Sequence, residues 1–371
     1  MKAILLLLAA AATLPAQVRI IPLLPPGPVN PRNTEGDFIR LRDGRYLFVY
    51  SKFTGGGGDD DAGYLAGRYS SDDGRTWTSE DLTIVTREGR WNVMSASLLR
   101  LKDGRIGLFY LRKNSETDDR VWVRFSSDET KTWSEPRLCT PDEGYFVLNN
   151  DRAVQMKSGR IVLPVALHTA EGKWTSRGLV MMYLSDDGGK TWRRSRQTVE
   201  CPTPSRNGLQ EPGVLELRDG RLWLFARTSM GSQYQAWSRD GGETWTKPEP
   251  SNLASPLSPA SIERIPKTGD LLAVWNDHSG VDDGWKAEDG VRGGRRTPLT
   301  LAISRDEGRT WEHRRNLLQH PDGWYCYTAI DFVGDTVLLA FNSGGEEGLA
   351  KLSRTQIARV PLDWIYGRSN K

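Results

Sequence analysis

Arginines, carboxylates, amides and tyrosines recur in this chain where short apolar runs begin or end. Residues 32–37, 92–97, 149–152, 210–211, 258–261 and 325–327 open such runs, and Lys52, Lys113, Asn114, His168, Arg227, Asn276, Asp277, His278 and Asn342 close their partners. The glycine-rich stretches 55–61 and 293–296 add Asp59, Asp60, Asp61 and Arg296. Guanidinium groups offer forked donors to a carboxylate, carboxylates and phenols move protons, and amides read hydroxyls. Gathered together, such residues suit a polar ligand with several hydroxyls and a carboxylate. An assembly scaffold needs apolar patches instead, and none stands out.

Two repeats must position these residues. Ser-x-Asp-x-Gly-x-Thr-Trp begins at Ser70, Ser185, Ser238 and Ser304, with a variant from Ser126 in which Thr130 replaces the glycine. In such a turn the Asp and Ser/Thr side chains satisfy backbone groups, and glycine takes a conformation that other residues resist. The Trp is expected to plug the gap between neighbouring sheets, contributing about 3 kcal/mol where buried. The second repeat is an apolar strand, a turn with glycine and another apolar strand, centred on Gly44, Gly104, Gly159, Gly220, Gly269 and Gly334. These glycines lie 60, 55, 61, 49 and 65 residues apart, a period that suits a four-stranded blade with its loops.

The fold expected is therefore all-β, a six-bladed β-propeller with Asp-box turns, in which residues 18–23 lend an outer strand to the last blade. Within each blade the hairpin turn and the Asp box share one face, so the polar residues at the strand starts and ends collect on the other.

At the N-terminus, Met1 and Lys2 precede an unbroken apolar run over residues 3–12 and then Thr13, Leu14, Pro15, Ala16 and Gln17. This layout is that of a secretory signal cleaved after Ala16, and it is too short to span a bilayer. The expectation is a secreted or periplasmic protein whose residues 17–371 form the propeller. Losing Lys2 changes the formal charge from +3 to about +2, which gives no reason to expect a nucleic-acid partner, and no membrane span is foreseen. The three cysteines, Cys139, Cys201 and Cys326, lack metal-ligand spacing and allow at most one disulfide. With four histidines in the chain, neither a metal site nor a cofactor is expected.

The chain resembles the sialidase (neuraminidase) superfamily over essentially all of residues 17–371. The resemblance is carried by Gln210-Glu211-Pro212 with Arg227 following, by Arg296 ahead of Leu299-Thr300-Leu301 and the Ser304 box, by Tyr327-Thr328-Ala329-Ile330, and by the Gly-rich Asp59 loop ahead of Ser70. It implies a Tyr327 nucleophile deprotonated by Glu211, because a carboxylate nucleophile would be repelled by the carboxylate on a sialic acid's anomeric carbon. It further implies Asp59 as acid/base, with Asp60 and Asp61 as rivals, and a carboxylate grip by Arg227 and Arg296. An acid/base in this role needs a raised pKa.

The family's first arginine is missing: Thr34, Glu35 and Gly36 occupy its stretch, and Asn342 stands where a bracing Glu is usual. A charged hydrogen bond contributes about 1.5 to 3 kcal/mol, so the loss bears on the choice of sugar. Arg32 and Arg152 are the candidate substitutes, and His168, Asp277 and His278 are candidates to line a subsite. The reading is a retaining exo-glycosidase for terminal sialic acid or a related acidic sugar. Its alternatives are a hydrolase of a different glycoside and a non-catalytic glycan-binding propeller.

Overall fold

The computed structural model describes residues 17–202, 205–280 and 294–368. The proposed signal segment, residues 1–16, lies outside them, as does Gly293 of the loop before Arg296. Twenty-five strands and one short helix, Leu362–Tyr366, make up the described regular structure, and the architecture is an all-β propeller.

Each hairpin foreseen around a glycine is an antiparallel pair. Arg32–Arg40 pairs with Tyr46–Phe53, Asn92–Arg100 with Ile106–Ser115, Gln210–Glu216 with Leu222–Arg227, Ser261–Arg264 with Leu271–Trp275, and Cys326–Val333 with Thr336–Ser343. In the third repeat two short strands, Phe146–Val147 and Val154–Gln155, share the partner Ile161–Ala170. A third and fourth strand continue each unit outward.

Hydrogen bonding gathers these units into five sheets where six separate ones were expected. The first two repeats merge into one eight-stranded sheet through a single parallel pair, Gly63 with Asn92. The cause lies in Asn92, whose buried amide also donates to the carbonyls of Asp59 and Asp61 at 2.9 and 2.8 Å and draws the two units together. The last sheet takes its outer strand from the other end of the chain: Arg19–Leu24 runs antiparallel to Arg354–Pro361.

The Asp boxes close as their chemistry requires. Ser70 Oγ donates to Asp72 Oδ1 at 2.9 Å and accepts from the Gly74 N–H at 2.8 Å, while Asp72 accepts from both the backbone and the hydroxyl of Thr76. In the variant box Thr130 adopts the left-handed conformation (φ 68°) in place of glycine. This costs on the order of 1 kcal/mol, and its hydroxyl lies 3.0 Å from that of Tyr69. The tryptophans depart from expectation. Trp245 and Trp311 are buried, but Trp77, Trp133 and Trp192 are only half-buried. The bulk between sheets comes from strand residues instead, among them Trp223, Trp275, Tyr46 and Phe48.

Candidate active site

Four of the innermost strands share one irregularity. Pairing registers slip between Thr34 and Asp37, Met94 and Ser97, Gln210 and Gly213, and Cys326 and Ala329. At these bulges Glu35, Ser95, Glu211 and Tyr327 have φ of 48°, 59°, 47° and 54°, and Asp151 of the third repeat has φ 57°. A bulge bends its strand and re-aims a side chain. Non-glycine residues held left-handed cost about 1–3 kcal/mol each and persist only where their surroundings fix them, commonly at functional sites.

Four of these five residues reach one cavity. Its wall includes Glu35, Ser95, Glu211 and Tyr327 from the bulges, with Asp59, Lys113, Tyr145, His168, Trp174 and Arg227 around them. The fifth, Asp151, braces the ring: its Oδ2 accepts the Ile330 N–H at 3.0 Å, just past Tyr327. Neighbouring Asn150 donates to the carbonyls of Gly36 and Tyr327 at 2.9 and 3.2 Å, fastening three repeats together.

The Tyr327 hydroxyl donates to Glu211 Oε1 at 3.1 Å. Arg227 places a guanidinium nitrogen 2.8 Å from Glu211 Oε2 and donates twice to Gln210 Oε1, at 2.9 and 2.7 Å. Gln210 faces Arg227 in register across the hairpin. The Arg296 guanidinium lies 5.4 Å from the Tyr327 ring centre and 5.2 Å from that of Trp324, and it donates to Cys326 Sγ at 3.0 Å. Burial, and then the Glu211 charge, push the Tyr327 phenol well up, against the pull of Arg296 and Arg227, so it rests protonated.

Asp59, on the glycine loop, lines the same cavity; its side chain is 65% exposed and accepts from Arg32 at 2.6 Å. Desolvation works to raise its pKa, but Arg32 and Lys113 prevail and hold it below the usual carboxylate range. That is opposite to the raised value expected of an acid/base. The buried carboxyl of Glu35 has the raised value instead: burial takes it to about 7 although Arg32 is 3.5 Å away and Ser95 Oγ donates to it. Sequence reasoning passed over Glu35 as merely occupying the place of a missing arginine.

The other foreseen residues divide. His168 lines the cavity, its Nδ1 2.9 Å from the Thr175 carbonyl and its ring stacked on Trp174, and burial lowers its pKa. Arg32 stands behind Asp59 and Glu35. Arg152 does not reach the wall: it donates to the Ala260 carbonyl at 2.7 Å and lies against Phe225, because it follows the bulge residue instead of occupying the bulge. Asp61 folds back to accept the Gly58 N–H at 2.7 Å. Asp277 pairs with Arg314 at 3.0 Å and caps Ser279, and His278 Nε2 lies 3.1 Å from the Arg295 carbonyl, which places both in the scaffold of the fifth repeat. Among the described residues no group of three or more His, Cys, Asp or Glu could hold a metal ion, and no helix is long and apolar enough to cross a membrane.

Glu35 carries a pH signature. Its pKa rises from 4.5 to about 7 on folding, so the folded state holds the extra proton and stability is lost as pH climbs through that window. Between pH 4.5 and 7 the stability of wild type should fall relative to Glu35→Gln by up to about 3 kcal/mol. Urea denaturation of both proteins across that range checks this, and parallel pH profiles would refute it.

A model of the BNR repeat-like domain matches residues 50–339. The chain is 31% identical over 223 residues to a sialidase of Bacteroides fragilis, covering 56% of this chain and 36% of that protein. It spans about a third or less of the length of the curated relatives it matches. Among solved structures, a protein of unknown function from Dyadobacter fermentans superposes with a TM-score of 0.71 at 19% identity, over 92% of this chain and 99% of that one. A Trypanosoma rangeli sialidase gives 0.71 at 16% identity, over 96% and 61%. With its Asp boxes, its propeller and a tyrosine facing a glutamate across the ring, the chain belongs to the BNR repeat-like domain family, within the sialidase superfamily.

Proposed function

We propose that the protein is a secreted or periplasmic retaining exo-glycosidase that removes a terminal acidic sugar, sialic acid or a relative, from glycans. The contact of 3.1 Å between the Tyr327 hydroxyl and Glu211 Oε1, in a pocket that also holds Arg227, carries the reading. In the first step the phenol oxygen of Tyr327 bonds to the anomeric carbon, Glu211 takes the phenol proton, and the glycosidic C–O bond breaks with a proton from Asp59. In the second, water attacks the same carbon, Asp59 takes back a proton, and the Tyr–sugar bond breaks as Glu211 returns its proton. Asp59 is ionised at rest by Arg32, so it becomes an acid when a substrate anion draws Arg32 away and the pKa of Asp59 rises. Arg227 and Arg296 stabilise charge beside the reacting carbon.

The same reading counts six blades. The eight-stranded sheet is held together by one parallel pair, and dividing it there leaves two four-stranded units like the others. The mature chain would be residues 17–371, following cleavage after Ala16.

A different acidic glycoside is the second reading, and Glu35 favours it, since a carboxyl stands where the family's first arginine would meet a sialic acid's carboxylate. Turnover of a panel of chromogenic sialosides, uronides and neutral glycosides by the purified protein decides. Release from an acidic glycoside is expected. Binding of glycans with no release from any member would leave the non-catalytic alternative.

A further inference from the structure

A second cavity adjoins the first. Asp59, Tyr145 and Trp174 line both, and Asp60, Trp91 and Glu116 complete the second. Tyr327, Glu211, Arg227 and Glu35 line the first and not the second. Asp59 thus stands at the boundary between the recess where phenol and carboxylate meet and one with no part in either chemical step.

Trp174 is the one aromatic among the three large apolar side chains that are exposed in the described residues, at 49%. It lies near the tip of the hairpin between Ile161–Ala170 and Lys173–Ser185, opposite Thr169. Its ring is stacked on His168, with centres 6.2 Å and planes 13° apart, and His168 meets the Tyr145 ring edge to face at 6.5 Å. The indole is therefore held in a fixed plane while half of its surface stays open to the cavities and to water, which is unfavourable for so large an apolar group unless something covers it. Trp91 is anchored through its backbone, whose N–H donates to the Lys113 carbonyl at 3.0 Å. Asp60 and Glu116 are exposed, and neither is paired with a cation among the described residues.

We propose that this second cavity is the leaving-group subsite, and that it holds a neutral pyranose ring of the glycan from which the terminal sugar is cut. The proton that Asp59 gives goes to the departing oxygen, so the departing group lies within reach of Asp59 on the side away from Tyr327. A pyranose offers an apolar C–H face to the rings of Trp174, Trp91 and Tyr145, and its hydroxyls donate to the carboxylates of Asp60 and Glu116. An anionic ring would meet those two carboxylates without the arginines that balance charge around Tyr327. The inference rests on the glycosidase reading for the part played by Asp59, and names the other half of its substrate.

The test is calorimetric titration of lactose, cellobiose and 6′-sulfolactose into wild type, Trp174→Ala, Trp91→Ala and an Asp60→Asn/Glu116→Gln double variant. Wild type should bind at least one neutral disaccharide, and each tryptophan variant should bind it ~10-fold or more weakly, the scale of uncovering one face of an aromatic ring. Sulfolactose should bind wild type more weakly than lactose, and the gap should narrow in the double variant. A wild type that binds none of the three overturns the proposal and needs no variant to fold. Unchanged disaccharide binding in both tryptophan variants overturns it too, as does tighter binding of the sulfated sugar by wild type. Kinetics keep the two claims apart. Disaccharide binding through Trp174 with no hydrolysis of any glycoside sinks the enzyme reading and leaves a neutral-sugar site. Turnover in which a disaccharide-linked glycoside has the same kcat/KM advantage over the methyl glycoside in wild type and Trp174→Ala sinks the subsite alone.

Discussion

Tyr327→Phe should lower kcat on the best acidic glycoside by ~10³-fold or more while leaving the affinity for the free sugar within about threefold. The change removes one oxygen and leaves the ring against Arg296. Glu211→Gln should be comparably damaging, since it removes the proton acceptor 3.1 Å from the phenol and the partner of Arg227. The two groups act as one unit, so the double variant should be little worse than either alone. Steady-state kinetics on the three proteins measure this. A Tyr327→Phe enzyme with more than a tenth of wild-type kcat would remove the tyrosine from the chemistry.

A second large effect is on stability. Trp223 is 1% exposed between the fourth and fifth repeats, next to Phe225, with its indole N–H donated to Gln235 Oε1 at 3.2 Å. The Asp-box glycine Gly308 presses on it so closely that no Cβ would fit between them. Trp223→Ala should cost about 3–5 kcal/mol, from lost burial plus the cavity that the strands cannot collapse into. The same substitution at half-buried Trp192 should cost far less. Guanidinium denaturation of both variants tests the contrast, and equal losses would contradict it.

The repeats were legible in the sequence because their physics is local: a tight turn needs its glycine and an Asp box its Ser, Asp and Thr within a few residues. That Glu211 and Arg227 belong to one site was legible for a related reason, as both lie on one hairpin, but their ion pair was not, since Arg227 was expected to grip a ligand carboxylate. The bulges hid the rest. A bulge reverses which face the following side chains take, so a strand-end arginine such as Arg152 looked available when its place is beneath Phe225. The signal was still present. Glu35, Ser95 and Glu211 each stand nine residues before their hairpin glycine, and aligning the repeats on those glycines sets Glu35 level with Glu211.

Because the sheet that carries Tyr327 borrows its outermost strand from Arg19–Leu24, it is assembled from the earliest and the latest described parts of the polypeptide. Contacts so distant in sequence are slow to form, and they become available only once Arg354–Pro361 has emerged during synthesis. Until then the sheet that carries Tyr327 lacks both of its outer strands, Arg354–Pro361 and Arg19–Leu24. The last sheet of the ring is therefore the one whose completion waits for both ends of the described chain.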